Sequence, residues 1–278
     1  MPTDDFRLVE YLIVFAFIGA ASGFASGLFG VGGGIMRMPI FVILFPLFGI
    51  NGPHEMRVAV ATSLTLAVPS SIMALVKHVR LGRLDVDYFW KWAVGLVAGA
   101  AIGVVAGPYL PQFALKIAFL VFVVFMIVYF AFLAETLTIV KRPPTGLARI
   151  GLAGGVGAYC VSIGLGGGSL ATPVLKLSAM PMTRALAIGS GSSALVASFG
   201  MIGGIWNGWE VAGRPAWTLG YIDLLLVAVM LPGALFFPSF GVSVANHMSP
   251  RLLRKVYAGF LALIAISMAA HLVLGQGG

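Results

Sequence analysis

Apolar residues run through this chain in long, nearly unbroken stretches; they neither alternate with period two nor stripe one face of short helices. Ten stretches stand out, at 8–29, 35–49, 57–76, 88–107, 114–135, 148–165, 169–180, 184–206, 222–244 and 252–274. A helix crossing the roughly 30 Å hydrocarbon core of a bilayer takes about 20 residues at 1.5 Å each. Most stretches meet that length. The second and seventh are too short to cross upright, and each follows a glycine cluster and contains a proline, Pro39 and Pro173. They are predicted to be half-helices or the returning arms of re-entrant hairpins, which are tolerated only where buried in protein or lining a cavity.

The ten stretches fall into two sets of five, and landmarks recur in the same order. Gly30-Val-Gly-Gly-Gly34 before Pro39 matches Gly164-Leu-Gly-Gly-Gly168 before Pro173. Arg57-Val-Ala-Val-Ala-Thr-Ser63 matches Arg184-Ala-Leu-Ala-Ile-Gly-Ser190, and Gly82-Arg-Leu-Asp85 matches Gly220-Tyr-Ile-Asp223. Leu115-Lys116 and Phe119 match Leu253-Arg254 and Tyr257. The ordered series argues for duplication more strongly than any single glycine-rich match does. An odd number of segments per repeat turns the second copy upside down. The predicted architecture is therefore an all-α integral membrane protein of two inverted repeats, residues 1–140 and 141–278, each with a glycine-loop half-helix or re-entrant hairpin.

Composition changes the picture from "apolar helices" to "membrane". The 278 residues are 60% hydrophobic and 9% charged, against about 45–50% and 25% in soluble domains, and mean hydropathy is +1.04. A soluble fold of this length has too little interior for so much apolar surface. A cytosolic enzyme, a nucleic-acid binder and a disordered chain are excluded, and the lipid bilayer is the first partner. The net charge of +8 does not point to nucleic acid, because the 17 Lys and Arg sit almost entirely in short connections with no run of five like charges. If connections alternate sides, twelve of them fall on one side, four on the other, and Arg37 within a segment. The crowded side is expected to be the cytoplasm. That places the chain in a bacterial inner membrane with both termini outside. Asp4, Asp5 and Glu10 against Arg7 make a poor n-region for a cleaved signal peptide.

Glycines every fourth residue, at 95, 99, 103 and 107, at 19, 23 and 27, and at 200, 204 and 208, make bare stripes on which helices can approach closely. Trp90, Trp92, Trp206, Trp209 and Trp217 lie near segment ends, as an interfacial belt requires. His78, at a loop boundary, is expected at the same interface, and Cys160 as a small apolar filler.

The glycine loops carry the sharpest chemistry. Consecutive glycines expose backbone N–H groups and permit positive φ, and a helix starting behind them aims its dipole at the loop. That combination suits an anion, although a tight bend between packed helices needs the same residues. No Lys-Ser/Thr follows to make a Walker A loop, and the dinucleotide spacing is absent. Arg37, three residues beyond the first loop, either binds an anion through two parallel N–H groups or snorkels to the interface. Its counterpart is Ala171. The candidate substrate-binding set is Gly30, Gly32, Gly33, Gly34, Arg37, Thr62, Ser63, Gly164, Gly166, Gly167, Gly168, Ser169, Ser190 and Ser192, with Thr65 and Ser193 nearby. His271, within the last stretch, is read as a buried imidazole, with a relay role as the alternative. Glu135, Glu210, Asp85 and Asp223 fall near segment ends, which disfavours a carboxylate proton relay. No catalytic set, metal site or cofactor is expected.

The phrases GLFGVGGGIMRMPIF, ATSLTLAVPSSIMALVKHVRLGRLD and SIGLGGGSLATPVL, repeated in order, resemble the TauE/SafE sulfite-exporter family of membrane permeases from about Tyr11 to His271. Arg37 and Gly189-Ser190-Gly191-Ser192 depart from its usual pattern. The resemblance implies a secondary transporter, with export the expected direction, of small sulfur-containing anions such as sulfite, an organosulfonate or sulfoacetate. A passive anion channel, an intramembrane sulfur-handling enzyme and a structural subunit are the rival readings. A homodimer is left open, and no nucleic acid is expected as a partner.

Overall fold

The computed structural model describes residues 5–29, 33–47, 54–129, 142–211 and 217–249, together with 252, 255, 256, 258, 259, 261–263 and 266. Its helices follow the apolar stretches: α1 (Asp5–Phe29), α2 (Gly34–Leu47), α3 (Glu55–Arg80), α4 (Val86–Ala106), α5 (Gln112–Val128), α6 (Gly146–Ser162), α7 (Gly168–Leu177), α8 (Met182–Gly208) and α9 (Leu224–His247). The described positions of the last stretch are helical as well. Five of these helices (α1, α3, α4, α8 and α9) are long and apolar enough to cross a membrane. With 14 and 10 residues, α2 and α7 extend only about 21 and 15 Å.

The glycine stripes set the packing. On α1, a side chain at Gly19, Gly23 or Gly27 would strike the α9 backbone at Met230, Gly233 or Pro238. Along α4, Gly95 and Gly99 meet Ile150 and Gly154 of α6 in the same way, and Gly103 meets Ala158 and Val161. Gly200 and Gly204 of α8 lie against Leu64 and Ala61 of α3. Gly107, the last of its stripe, has nothing within 4 Å and ends α4 instead. The main helix pairs are therefore α1 with α9, α4 with α6, and α3 with α8.

Two matched landmarks become matched caps. Gly82 and Gly220 both take positive φ (66° and 60°), turning the chain just ahead of α4 and α9. Asp85 Oδ1 then accepts the Tyr88 N–H at 3.1 Å, and Asp223 Oδ1 the Leu226 N–H at 3.0 Å. Before α9 the helical expectation needs one correction. Strands β1 (Thr218–Leu219) and β2 (Ile222–Asp223) form a small antiparallel hairpin, pairing Thr218 with Asp223 and Leu219 with Ile222. Two-residue strands are too short to leave a periodic signal.

Two surface assignments are also corrected. Trp90, Trp206, Trp209 and Trp217 are exposed as a belt requires, but Trp92 is fully buried. Two residues apart on a helix, Trp90 and Trp92 point to nearly opposite faces. His78 is buried too, and neither ring nitrogen has a hydrogen-bond partner. The last turn of α3 faces inward there.

Candidate functional site

The short helices α2 and α7 begin close to one another. A Cβ on Gly34 would stand 2.9 Å from the Gly164 carbonyl oxygen and 3.3 Å from Leu165 Cα. Only glycine lets the two loops approach this closely. Gly33, at φ +71°, packs beside the Ser22 carbonyl and the Arg37 guanidinium, while Gly164, at φ +76°, packs on Met38 and the α3 backbone at Val60. Gly30 and Gly32 lie outside the described residues.

Hydroxyls of α3 tie this junction down. Ser63 Oγ donates to the Gly164 carbonyl at 3.1 Å. One residue earlier, Thr62 Oγ1 accepts the Asp223 N–H at 3.0 Å, so it serves the hairpin and not the loop. On the second loop, Gly166 and Gly167 lie against Ser193, Val196 and the Ser192 carbonyl of α8. The Gly168 N–H donates to Ser193 Oγ at 2.9 Å, and the Ser169 N–H to the Gly166 carbonyl at 3.1 Å. Ser169 Oγ also donates to the Gly166 carbonyl at 2.6 Å, and Cys160 Sγ lies 3.8 Å from it. The first amides of α7 are therefore engaged by the protein itself.

Arg37 is the surprise of the first loop, because it does not snorkel. It stands in the first turn of α2, fully buried, with Nη1 donating to Ser22 Oγ at 3.4 Å. Bringing a guanidinium to the meeting point of two glycine loops supplies positive charge and donor groups in a low-dielectric interior. The Ser190 and Ser192 hydroxyls point away from this junction, although the Ser192 carbonyl lines Gly167. Ser190 Oγ bonds back to the Leu186 carbonyl of its own helix, and Ser192 Oγ accepts the Trp92 indole N–H at 3.1 Å.

Sequence reasoning missed three participants. Ser22 faces Arg37 from α1, Trp92 reaches Ser192 from α4, and Asp223 is buried despite lying at a segment end. Only the matched Gly-x-x-Asp pair pointed at Asp223 beforehand. A cleft bounded by α3, α4, α6 and α8 has Arg57, Leu64, Val161, Asn207 and Tyr221 on its walls. Arg57 Nη2 is held there by the Pro108 carbonyl at 2.8 Å. No cluster able to hold a metal ion occurs among the described residues.

Comparison with known proteins agrees with the helical, multi-pass character. A sequence profile described as "Sulfite exporter TauE/SafE" matches residues 15–268. A Haemophilus influenzae protein described as "Probable membrane transporter protein" is 26% identical over 94% of this chain and 99% of its own. A Methanocaldococcus jannaschii protein described in the same words is 25% identical, covering 95% of this chain and 97% of its own. No solved structure matches significantly.

Proposed function

The chain belongs to the sulfite exporter TauE/SafE family of membrane transporters, and from that premise we propose that it carries a small sulfur-containing oxyanion such as sulfite or a sulfonate. The reading rests on one observation above all: buried Arg37 stands where the two glycine loops meet. Arg37 supplies the charge, the loop amides not used within the protein supply neutral donors, and Ser63 holds the second loop in place. The dipoles of α2 and α7, which both begin beside the glycine loops, add to the attraction. Uptake or release of a panel of sulfur oxyanions by liposomes holding the purified protein tests this. Saturable, sulfite- or sulfonate-selective flux is expected; unsaturable flux of every small anion would replace the transporter with a channel, and no flux would reject both.

The same reading includes two inverted repeats. Exchanging α1 with α6 and α4 with α9 turns the α1–α9 pair into the α6–α4 pair and returns α3–α8 to itself, which supports a pseudo-two-fold relation. It also includes the orientation argued from Lys and Arg. A reporter active only in the cytoplasm is expected to stay silent when fused after Gly278 and to be active when inserted at Gly82. The opposite pattern would overturn the assigned sidedness.

A further inference from the structure

We propose that Asp223 is the proton-binding site that couples this transporter, linked to the anion site through the adjacent pair Thr62–Ser63 of α3. The inference rests on the anion reading above. Its first ground is burial. Asp223 is 1% exposed, and while Oδ1 caps α9, Oδ2 has no hydrogen-bond partner. A carboxylate oxygen buried in protein without a hydrogen-bond partner is costly and calls for a reason. The backbone amides of Leu226 and Leu225 face this carboxylate at the start of α9, and Oδ2 still has no hydrogen-bond partner.

The second ground is connectivity. Thr62 Oγ1 receives the Asp223 N–H, and the next residue, Ser63, holds the Gly164 carbonyl of the second loop. The residue that holds the Asp223 backbone thus directly precedes, on α3, the residue that holds the glycine junction. The counterpart Asp85 has no such link, because Gly189 stands where Thr62 would be, and it instead lies 3.8 Å from Arg184 Nη1 near the surface. The coupling is one-sided, as is Arg37.

The groups around Asp223 leave the proton to it. From α1, the Tyr11 phenol feels its charge, and Glu10 beside it is exposed. On α3, Glu55 and Arg57 lie a turn or more beyond Thr62, and the His54 ring at the helix start lies tilted against Tyr221, with 5.7 Å between ring centroids. In α8 and α9 the ionisable side chains, Arg184 and His247, are at the far ends. Burial pushes the Asp223 pKa above the ordinary carboxylate value. A metal cation would need about six oxygens, and Asp223, Thr62 and Tyr11 supply too few.

A negative Asp223 repels the bound anion and a neutral one does not, so anion affinity should be high at low pH and fall as pH rises through the raised pKa. The probe is ethanesulfonate, whose charge is constant across the range, bound to the purified full chain from pH 5 to pH 9. The parent is expected to weaken about tenfold or more over that range. Asp223→Asn keeps the cap and should bind with the acid-side affinity at every pH, whereas Asp85→Asn should keep the parent's slope. A flat parent profile, or an unchanged slope in Asp223→Asn, overturns the proposal, and so does a slope that appears only with sodium. Infrared difference titration reads the site independently of the anion: a carboxylic C=O band rising on acidification must vanish in Asp223→Asn. If the parent binds no sulfonate or sulfite at any pH, the anion reading falls with the coupling, and the infrared band alone decides whether Asp223 takes the proton.

Discussion

Arg37→Ala is expected to weaken sulfite or sulfonate binding by roughly ten- to a hundredfold. That corresponds to losing one charge-assisted contact of about 1.5–3 kcal/mol. The burial of Arg37 sharpens the expectation, since an arginine anchored at the interface would show an exposed guanidinium and this one shows none. Arg37→Lys should recover only part of the loss, because an ammonium cannot present the planar pair of donors that an oxyanion accepts. Ser22→Ala separates contact from positioning. It removes the hydroxyl at 3.4 Å from Nη1 while leaving the charge, so a smaller drop is expected. Equilibrium binding, normalised to the folded fraction by size-exclusion of detergent-solubilised protein, checks all three. Equal affinities in parent, Ala and Lys forms would remove Arg37 from the site.

Gly99→Val should have the largest effect on stability. A Cβ there would enter the Gly154 carbonyl of α6, where backbone meets backbone and no side chain can swing aside. The helices must separate, losing contacts along their whole pair, and the cost should exceed the about 1–3 kcal/mol usual for overpacking. Gly27→Val, aimed at the Pro238 carbonyl of α9, is expected to behave alike. Gly107→Val is the control: it belongs to the same four-residue spacing but faces open space. Thermal denaturation followed by light scattering should show the first two unfolding well below the parent and the third close to it. Similar midpoints for Gly99→Val and Gly107→Val would mean that the stripe is not a packing seam.

These two variants also show why the glycine loops are a poor place for a simple binding test. Val at Gly33 would meet the Ser22 carbonyl and an unfavourable φ, and Val at Gly167 would meet Val196 and the Ser192 carbonyl. Either would disturb the packing of α2 or α7 before it disturbed an anion. Arg37, Ser22 and Asp223 can be changed with less backbone strain and are the more informative positions.

The apolar stretches, the two short helices after the glycine clusters and the matched Gly-x-x-Asp spacing were all legible in the sequence, and the structure turns that spacing into caps at Asp85 and Asp223. Each depends on a local rule: lipid demands long apolar helices with internally satisfied backbones, and a cap needs only its own next turn. The close-packing role of the glycines at 19, 23 and 27 was legible for the same reason, since spacing alone puts them on one face. What each face met was not. Trp92 with Ser192, Ser63 with Gly164 and Thr62 with Asp223 are separated by 100, 101 and 161 residues. The rotation of α3, α4 and α8 about their axes decides these pairs. That rotation is set by how ridges and glycine grooves of several helices fit at once, which no single stretch encodes. The same packing buried Arg37 where the sequence allowed it to snorkel, and enclosed Asp223 although it falls near the end of its stretch.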